Sequence, residues 1–157
     1  MAHEGLASKY SGHIPVLVKP LLDLLAPASG QIAVDCTVGL GGHAKTLLEK
    51  EPALTLIGLD MDPHALELAG KNLEPWKDRI KLVLANFSQL PDVLSELNIP
   101  AVDMIYADIG VSSMQIDRPD RGFSFLEEGP LDMRMNPAQT KRAADIVNGL
   151  KESELAD

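Results

Sequence analysis

The sequence lacks the features that mark several specialised classes of protein. It has one cysteine, Cys36, which excludes an intramolecular disulfide and a cysteine-rich zinc site, so we expect no metal and a reducing compartment. No apolar run approaches the ~18 residues of a membrane-spanning helix. The first residues also lack the basic start and apolar core of a signal peptide. We therefore expect no association with a membrane.

Basic residues are also scarce. The chain has 14 Lys and Arg against 23 Asp and Glu, which gives a formal net charge of −9. Surfaces that bind nucleic acid usually carry a basic patch, so this balance by itself favours an enzyme that acts on a small molecule. Contact with RNA would require a local basic patch, or sequence that lies outside this chain.

What the sequence does have is a regular alternation of short apolar runs and segments with helical periodicity. This pattern predicts an α/β fold with a parallel sheet whose strands are buried on both faces. The predicted strands are residues 31–35, 54–59, 80–84 and 102–107. The fourth strand would leave an open apolar edge, which complete proteins cover. We therefore expect a fragment of a larger fold, or association through this edge, for example as a homodimer.

Helices are predicted between most of the strands. They are expected at residues 20–25, at residues 43–50, after Asp62, after Ser88 and at residues 141–150. Asp62 suits the N-cap of its helix and Pro63 the first helical position. Residues 114–139 are rich in Pro, Gly, Asp, Arg and Met without a clear period, so they predict a long loop.

Two features at the ends of the first two strands predict a site for a nucleoside-containing cofactor. Gly39, Gly41 and Gly42 follow the first strand, where a glycine turn lets the backbone approach a ligand and directs helix N-terminal amides at it. Their spacing departs from the G-x-G-x-x-G pattern of dinucleotide sites. Asp60, at the end of the second strand, is placed to accept hydrogen bonds from ribose hydroxyls. Plain packing of the turn and capping of the next helix by Asp60 and Asp62 are the alternatives.

The third and fourth strands lead to two further candidates. Phe87 follows the third strand, where its ring would stack on an adenine; the alternative is a core phenylalanine that covers the sheet. Asp108 follows the fourth strand, which lies beside the first strand in a doubly wound sheet. Asp108 would then face the cofactor crevice at the topological switch point, although an aspartate in a surface loop is the alternative.

Longer motifs carry a resemblance to a known family. The motifs are His13-Ile14-Pro15-Val16-Leu17, Asp35-x-Thr37-x-Gly39-x-Gly41-Gly42-His43, Asp60-x-Asp62-Pro63, residues 108–115 (DIGVSSMQ), residues 120–125 (DRGFSF) and residues 129–135 (GPLDMRM). The last two blocks are the most specific. With these motifs the chain resembles the RsmH (MraW) family of 16S ribosomal RNA cytosine N(4)-methyltransferases, which has a mitochondrial counterpart.

The resemblance implies a class I methyltransferase that uses S-adenosyl-L-methionine (SAM). This fold is a Rossmann-like, doubly wound parallel sheet, of which the chain would hold the first four strands and the start of a helical insertion. Residues 1–113 would belong to the SAM-binding domain, and residues 114–157 would begin a truncated domain for substrate recognition. The implied SAM contacts are Gly41, Gly42, His43, Asp60, Phe87, Asp108 and Gln115. The implied substrate is a cytosine N4 amine in the RNA of the small ribosomal subunit.

The chemistry of amine methylation singles out one catalytic candidate. The lone pair of the cytosine amine is delocalised into the ring and a proton is lost after transfer, so a hydrogen-bond acceptor assists the reaction. From its position we infer that Asp108 is this acceptor. Cys36 would be the nucleophile for methylation at a ring carbon, but no basic residue is near it in sequence and we expect a packed thiol. His13 would contact substrate or cofactor, or fix the N-terminal segment.

The two blocks within residues 120–135 are expected on the side of the RNA target. The substrate-binding candidates are Arg121, Phe123, Phe125 and Arg134. The arginines would contact phosphates and the phenylalanines would stack on a splayed base. The alternative is an internal cluster of the Phe and Met side chains, with an ion pair between Asp132 and Arg134.

Two other functions stay open from the sequence. One is a methyltransferase of the same fold that acts on a small molecule, which the acidic composition would suit. The other is a truncated, non-catalytic fragment of the RNA enzyme. The resemblance favours the bacterial cytoplasm as the location, with the mitochondrion as the alternative.

Overall fold

The computed structural model describes residues 15–156, which form two compact units. Unit 1 ends at Ile109 and unit 2 begins at Gly110. The domain boundary after residue 113 stays a prediction. His13 lies outside the described residues. None of the helices between residues 15 and 156 is long and apolar enough to cross a membrane.

Unit 1 alternates helices and strands in the order that the periodicity predicts. Its elements are α1 (Val18–Leu25), β1 (Ile32–Asp35), α2 (Gly42–Lys50), β2 (Thr55–Asp60), α3 (Pro63–Asn72), β3 (Ile80–Leu84), α4 (Leu90–Glu96) and β4 (Met104–Tyr106). Single 3-10 turns precede β3 at Glu74–Trp76 and α4 at Phe87–Gln89. Asp62 caps α3, because its side chain accepts a hydrogen bond from the His64 amide at 3.0 Å, and Pro63 begins the helix.

The four strands form one parallel sheet in the order β3-β2-β1-β4. The chain adds β2 and β3 on one side of β1 and then returns to place β4 on the other side. In register, Asp35 of β1 lies between Gly58 of β2 and Tyr106 of β4. The order therefore reverses between β1 and β4, and the carboxyl ends of these two strands are where ligands bind in such sheets. The predicted parallel α/β fold is confirmed.

Alternate side chains of the central strands pack into two cores, one on each face of the sheet. On one face, Ala33 and Leu56 contact a cluster that includes residues of α1, α2 and α3. On the other face, Val34 and Ile57 pack with Val93 of α4. This is the arrangement in which both faces of a parallel sheet are covered by helices. The two cores fix the strand ends that build the candidate site.

Arg79, which lies just before β3, holds the end of α2 and the turn that leads to β2. Its guanidinium donates hydrogen bonds to the carbonyl oxygens of Leu48, Glu51 and Leu54, at 3.1, 3.1 and 3.3 Å. These carbonyls lie at the end of α2 and in the turn that leads to β2, where helix carbonyls have no partner within the helix. Arg79 therefore fixes the connection between α2 and β2.

Unit 2 holds short elements separated by loops. They are α5 (Ser113–Ile116), a 3-10 turn (Pro119–Arg121), α6 (Ala143–Gly149) and α7 (Glu152–Leu155). Gly122 adopts a positive φ of 74°, and a Cβ there would lie 2.2 Å from the Pro130 carbonyl oxygen. The loop predicted from residue 114 to 139 is interrupted by α5 and the 3-10 turn, and α7 occupies the acidic stretch for which no helix was predicted.

Candidate cofactor site

The glycine turn after β1 adopts a conformation that only glycine accommodates without strain. Gly39 and Gly41 have φ values of 53° and 85°, in the left-handed region. A Cβ on Gly41 would lie 2.6 Å from the Leu73 Cδ1 atom, so the space is closed as well. The turn leads directly into α2, which begins at Gly42. Backbone amides at the start of α2 therefore stand at the carboxyl edge of the sheet.

Asp60 holds this turn against the end of β2. Its Oδ2 atom accepts a hydrogen bond from the Gly39 amide at 2.8 Å, and its Oδ1 atom accepts one from the Asp62 amide at 2.9 Å. Burial raises the pKa of the Asp60 carboxyl above its usual range. Two carboxylate oxygens have capacity for about four hydrogen bonds. Asp60 therefore organises the turn and retains acceptor capacity for a ligand hydroxyl, while the cap of α3 is supplied by Asp62.

His43 lies in the first turn of α2 and is held on two sides. Its Nε2 atom is 2.7 Å from the Val16 carbonyl oxygen, and its ring meets the Tyr106 ring edge to face at a centroid distance of 6.4 Å. Because a carbonyl oxygen only accepts, Nε2 carries the proton in this contact. In the neutral imidazole, Nδ1 is then the atom with a free lone pair.

A buried carboxylate that the sequence analysis did not single out lies at the centre of this edge. Asp35 is 2% exposed, and its Oδ2 atom accepts a hydrogen bond from the Tyr106 hydroxyl at 2.8 Å. Its Oδ1 atom accepts the Thr37 amide at 3.1 Å. Burial raises the pKa of Asp35 to about 6, against the lowering effect of these hydrogen bonds. Burial, followed by the neighbouring Asp35 charge, also raises the pKa of Tyr106.

Asp108 lies two residues after the end of β4 and is exposed. Its backbone amide donates a hydrogen bond to the Thr37 Oγ1 atom at 2.8 Å. Beside it, a pocket of about 240 Å³ is lined by α1, His43 and Tyr106 as well as by Asp108. The α1 side of this pocket is apolar, with Leu21 among its lining residues. Unit 1 thus brings the glycine turn, Asp60, His43 and Asp108 to one edge of the sheet.

Phe87 and Cys36 take different positions in unit 1. Phe87 begins the 3-10 turn after β3, and 45% of its surface is exposed, so it is not the core residue of the alternative interpretation. Cys36 is 8% exposed in the core between the sheet and α4. Burial raises the pKa of its thiol, which disfavours the thiolate that nucleophilic attack requires. This placement fits the packed thiol expected from the sequence.

Unit 2 holds the remaining predicted site residues. Gln115 is buried; its Oε1 atom accepts the Ser112 amide at 3.0 Å and its Nε2 atom contacts the Met135 sulfur at 3.3 Å. Arg121 is 6% exposed and donates to the carbonyl oxygens of Arg134 and Met135 at 3.0 and 2.9 Å. Its guanidinium lies 5.9 Å from the centre of the Phe123 ring. Arg121 therefore joins two loops inside unit 2.

The other two candidates of unit 2 differ in accessibility. Arg134 forms the ion pair with Asp132 that the sequence left as an alternative, with 2.7 Å between Nη2 and Oδ2. The pair holds the pKa of the Asp132 carboxyl down at about 2, mainly through the side-chain hydrogen bond. Phe125, in contrast, is fully exposed. Of the two predicted stacking residues, Phe123 is buried and Phe125 faces solvent.

Comparison with known proteins relates this geometry to a family. The family model described as the MraW methylase family matches residues 10–157. The chain is 49% identical to ribosomal RNA small subunit methyltransferase H of Thermobifida fusca, covering 98% of this chain and 47% of that protein. It is 46% identical to the protein of the same name from Streptomyces avermitilis, covering 92% of this chain and 46% of the relative. The chain thus spans about half the length of these relatives.

Solved structures agree on the fold. The C-terminal domain of precorrin-6Y C5,15-methyltransferase from Rhodobacter capsulatus superposes with a TM-score of 0.52 at 22% identity, over 68% of this chain and 56% of that one. At this identity the likeness concerns the fold, which is that of class I methyltransferases. The match of the family model over nearly the whole chain is the stronger finding, and it shows that this chain belongs to the MraW methylase family.

Proposed function

We propose that the chain is the SAM-binding part of an enzyme that methylates the exocyclic N4 amine of a cytosine in small-subunit ribosomal RNA. The observation that carries this proposal is the family match over residues 10–157, together with relatives named for methylation of the small-subunit RNA. The glycine turn and the carboxylates at the strand ends support a cofactor that contains a nucleoside.

Different site residues contact different parts of the cofactor. Asp60 accepts hydrogen bonds from the ribose hydroxyls with the capacity that its two backbone bonds leave. The half-exposed ring of Phe87 stacks on the adenine. Gly41, Gly42 and His43 face the methionine part, where the absence of side chains on the glycines admits the ligand to the backbone. For Gln115, the SAM contact that the resemblance implies stays a prediction.

Asp108 is the proposed acceptor for the amine. Bound SAM supplies an electrophilic methyl group, and the enzyme aligns the attacking nitrogen with it, a positioning effect of several kcal/mol. The exposed Asp108 carboxylate stands beside the pocket lined by α1 and Tyr106. It accepts a hydrogen bond from the amine as the nitrogen lone pair is freed for attack, and it draws off the proton that is lost after transfer.

On the RNA side, Phe125 is the proposed stacking residue, because its ring is fully exposed. Arg134 is oriented by its pair with Asp132 and contributes a positive group toward phosphates. Arg121 and Phe123 are buried and support these loops from within unit 2. With a net charge of −9, the chain relies on such local contacts for RNA.

The proposal extends to the location and assembly of the enzyme. The relatives named above come from bacteria, which supports the bacterial cytoplasm as the proposed location of the reaction. The half-exposed Ile105 on β4, at the edge of the described sheet, supports association through that edge, including a homodimer. Size-exclusion chromatography with light scattering would reveal such a dimer as a doubled mass.

The test combines cofactor binding with methyl transfer. SAM is titrated into the chain by calorimetry, and transfer of tritiated methyl from SAM to isolated small ribosomal subunits is followed, with a pool of metabolites as the competing acceptor. We expect binding and label in the ribosomal RNA. Binding without transfer would indicate a non-catalytic fragment, and label in small molecules would refute the RNA substrate.

A substitution of Asp108 tests its proposed role as acceptor. At saturating SAM, Asp108→Asn should lower the single-turnover rate at least about 100-fold, the scale of general acid–base assistance. Asp92→Asn, which removes an exposed carboxylate from the first turn of α4, is the matched control and should retain the rate. Full rate in Asp108→Asn with normal SAM binding would remove Asp108 from this role.

A further inference from the structure

Two hydrogen bonds that involve side chains join the carboxyl ends of β1 and β4, in addition to the main-chain bonds of the sheet. The last main-chain bond runs from the Cys36 amide to the Tyr106 carbonyl oxygen at 2.9 Å. The Tyr106 hydroxyl donates to Asp35, its register partner, and past the last main-chain bond the Asp108 amide donates to the Thr37 hydroxyl, both at 2.8 Å. The partners in each bond are 71 residues apart in sequence. Side chains thus add to the connection between the ends of the two strands.

Asp35 ties these two bonds into one network. One of its carboxylate oxygens accepts the Thr37 amide at 3.1 Å, and the other accepts the Tyr106 hydroxyl. Because Asp35 is 2% exposed, water does not compete for either oxygen. Thr37 is therefore fixed through its own amide, and its hydroxyl presents a fixed acceptor to Asp108.

We propose that Thr37 is a positioning residue, which sets the place of the Asp108 carboxylate relative to the glycine turn. Asp108 is exposed, and its amide lies beyond the main-chain hydrogen bonds of the sheet. Its backbone is instead held by the hydrogen bond from this amide to the Thr37 hydroxyl. Thr37 itself stands two residues before Gly39 in the same turn. The cofactor turn and the proposed acceptor thereby share one anchor. Misplacement of a reacting group by about 1 Å costs on the order of 100-fold in rate, so this anchor matters for transfer.

A merely structural role for Thr37 makes a different prediction. The bond between Tyr106 and Asp35 still joins the two strands after the Thr37 hydroxyl is removed. Asp108 is an exposed residue, so we expect its amide to bond to water in the variant. Global stability should then change little, by a Tm shift of no more than about 4 °C. The loss should appear in the order of Asp108 and in the rate.

The experiment compares Thr37→Val, which keeps the shape without the hydroxyl, with Thr37→Ser, which keeps the hydroxyl. Thr55→Val, at the exposed start of β2, is the control for the same substitution away from the site. Hydrogen exchange of the Asp108 amide is measured by NMR, and the single-turnover rate is measured at saturating SAM. We expect Thr37→Val to speed Asp108 exchange about 10-fold or more and to lower the rate about 10- to 100-fold, with Thr37→Ser restoring both.

Two outcomes would overturn the proposal: Asp108 exchange and rate unchanged in Thr37→Val, or Thr37→Ser as impaired as Thr37→Val. The inference about the rate rests on the proposed function, but amide exchange does not. If the unaltered chain transfers no methyl group, catalysis by this chain is refuted, while Asp108 exchange in the same variants still decides whether Thr37 fixes that residue.

Discussion

Replacing Asp35 by Asn should remove a pH dependence from the stability of unit 1. The pKa of Asp35 is raised from 3.8 to about 6, chiefly by burial, so the folded state holds this proton more tightly than the unfolded state. The stability from this group is fully present below pH 3.8 and is lost as the pH rises through about 6. Above that range the buried carboxylate is ionised at a cost to folding.

The magnitude follows from the shift. A displacement of about two pKa units corresponds to about 3 kcal/mol of free energy of unfolding. Asparagine has nearly the same shape and carries no charge. Its oxygen can still accept the Thr37 amide, and its amide group can donate to the Tyr106 oxygen. The stability of the variant relative to the unaltered chain should therefore rise by up to about 3 kcal/mol between pH 4 and pH 7.

Urea unfolding followed by circular dichroism, at half-unit steps from pH 4 to pH 7.5, measures this difference. Asp78→Asn, which removes an exposed carboxylate before β3, is the control. Its free energy of unfolding should differ from that of the unaltered chain by a nearly constant amount at every pH. If the difference in free energy of unfolding for Asp35→Asn is also independent of pH, the reasoning is refuted. That result would mean that the Asp35 carboxylate remains hydrated in the folded state. A difference of opposite slope would mean that its hydrogen bonds outweigh burial.

Three further substitutions test separate parts of the chain. Gly41→Ala forces a left-handed alanine whose Cβ meets Leu73, so it should cost about 1 to 3 kcal/mol in urea unfolding and weaken SAM binding in calorimetry; unchanged binding would show that this turn tolerates a side chain. Gly122→Ala places a Cβ 2.2 Å from the Pro130 carbonyl oxygen, so limited proteolysis should cut unit 2 rapidly while unit 1 survives. Phe125→Leu should leave the Tm unchanged but weaken binding to ribosomal RNA by about 1 to 3 kcal/mol in filter-binding assays, and equal affinity would exclude stacking.

The fold was predictable because its signals are local and repeated. Each apolar run coincides with a strand, and the capping pair of Asp62 and Pro63 begins α3 at the predicted place. The ends of the strands were less predictable, because the apolar run at residues 102–107 forms a strand only at Met104–Tyr106. The helix at Ser113–Ile116 had a detectable signal, since Ser112 and Gln115 form a capping box of the S-x-x-Q type.

The candidate site was predictable only in part, because its polar contacts join distant segments. The residue types and spacing of the glycine turn and Asp60 indicate a cofactor site from sequence alone. The partnership of Asp35 with Tyr106 depends on β1 and β4 being neighbours, which strand order determines. A carboxylate at the end of the apolar run Ile32–Asp35 was the available signal for it. In unit 2, exposure separates Phe125 from Phe123, and nothing in their common residue type predicts that difference.

The carboxylates that gather at the ends of the parallel strands have a consequence for turnover. Asp35 ends β1 and Asp60 ends β2, and Asp62 and Asp108 lie two residues beyond β2 and β4. One edge of the sheet therefore carries several acidic groups. Methyl donation turns the proposed cofactor from a sulfonium cation into an uncharged thioether. The negative field of these acids attracts the sulfonium cation and attracts the uncharged thioether product much less. The same edge that gathers the donor therefore favours departure of the product, and added salt should narrow the difference in affinity between them.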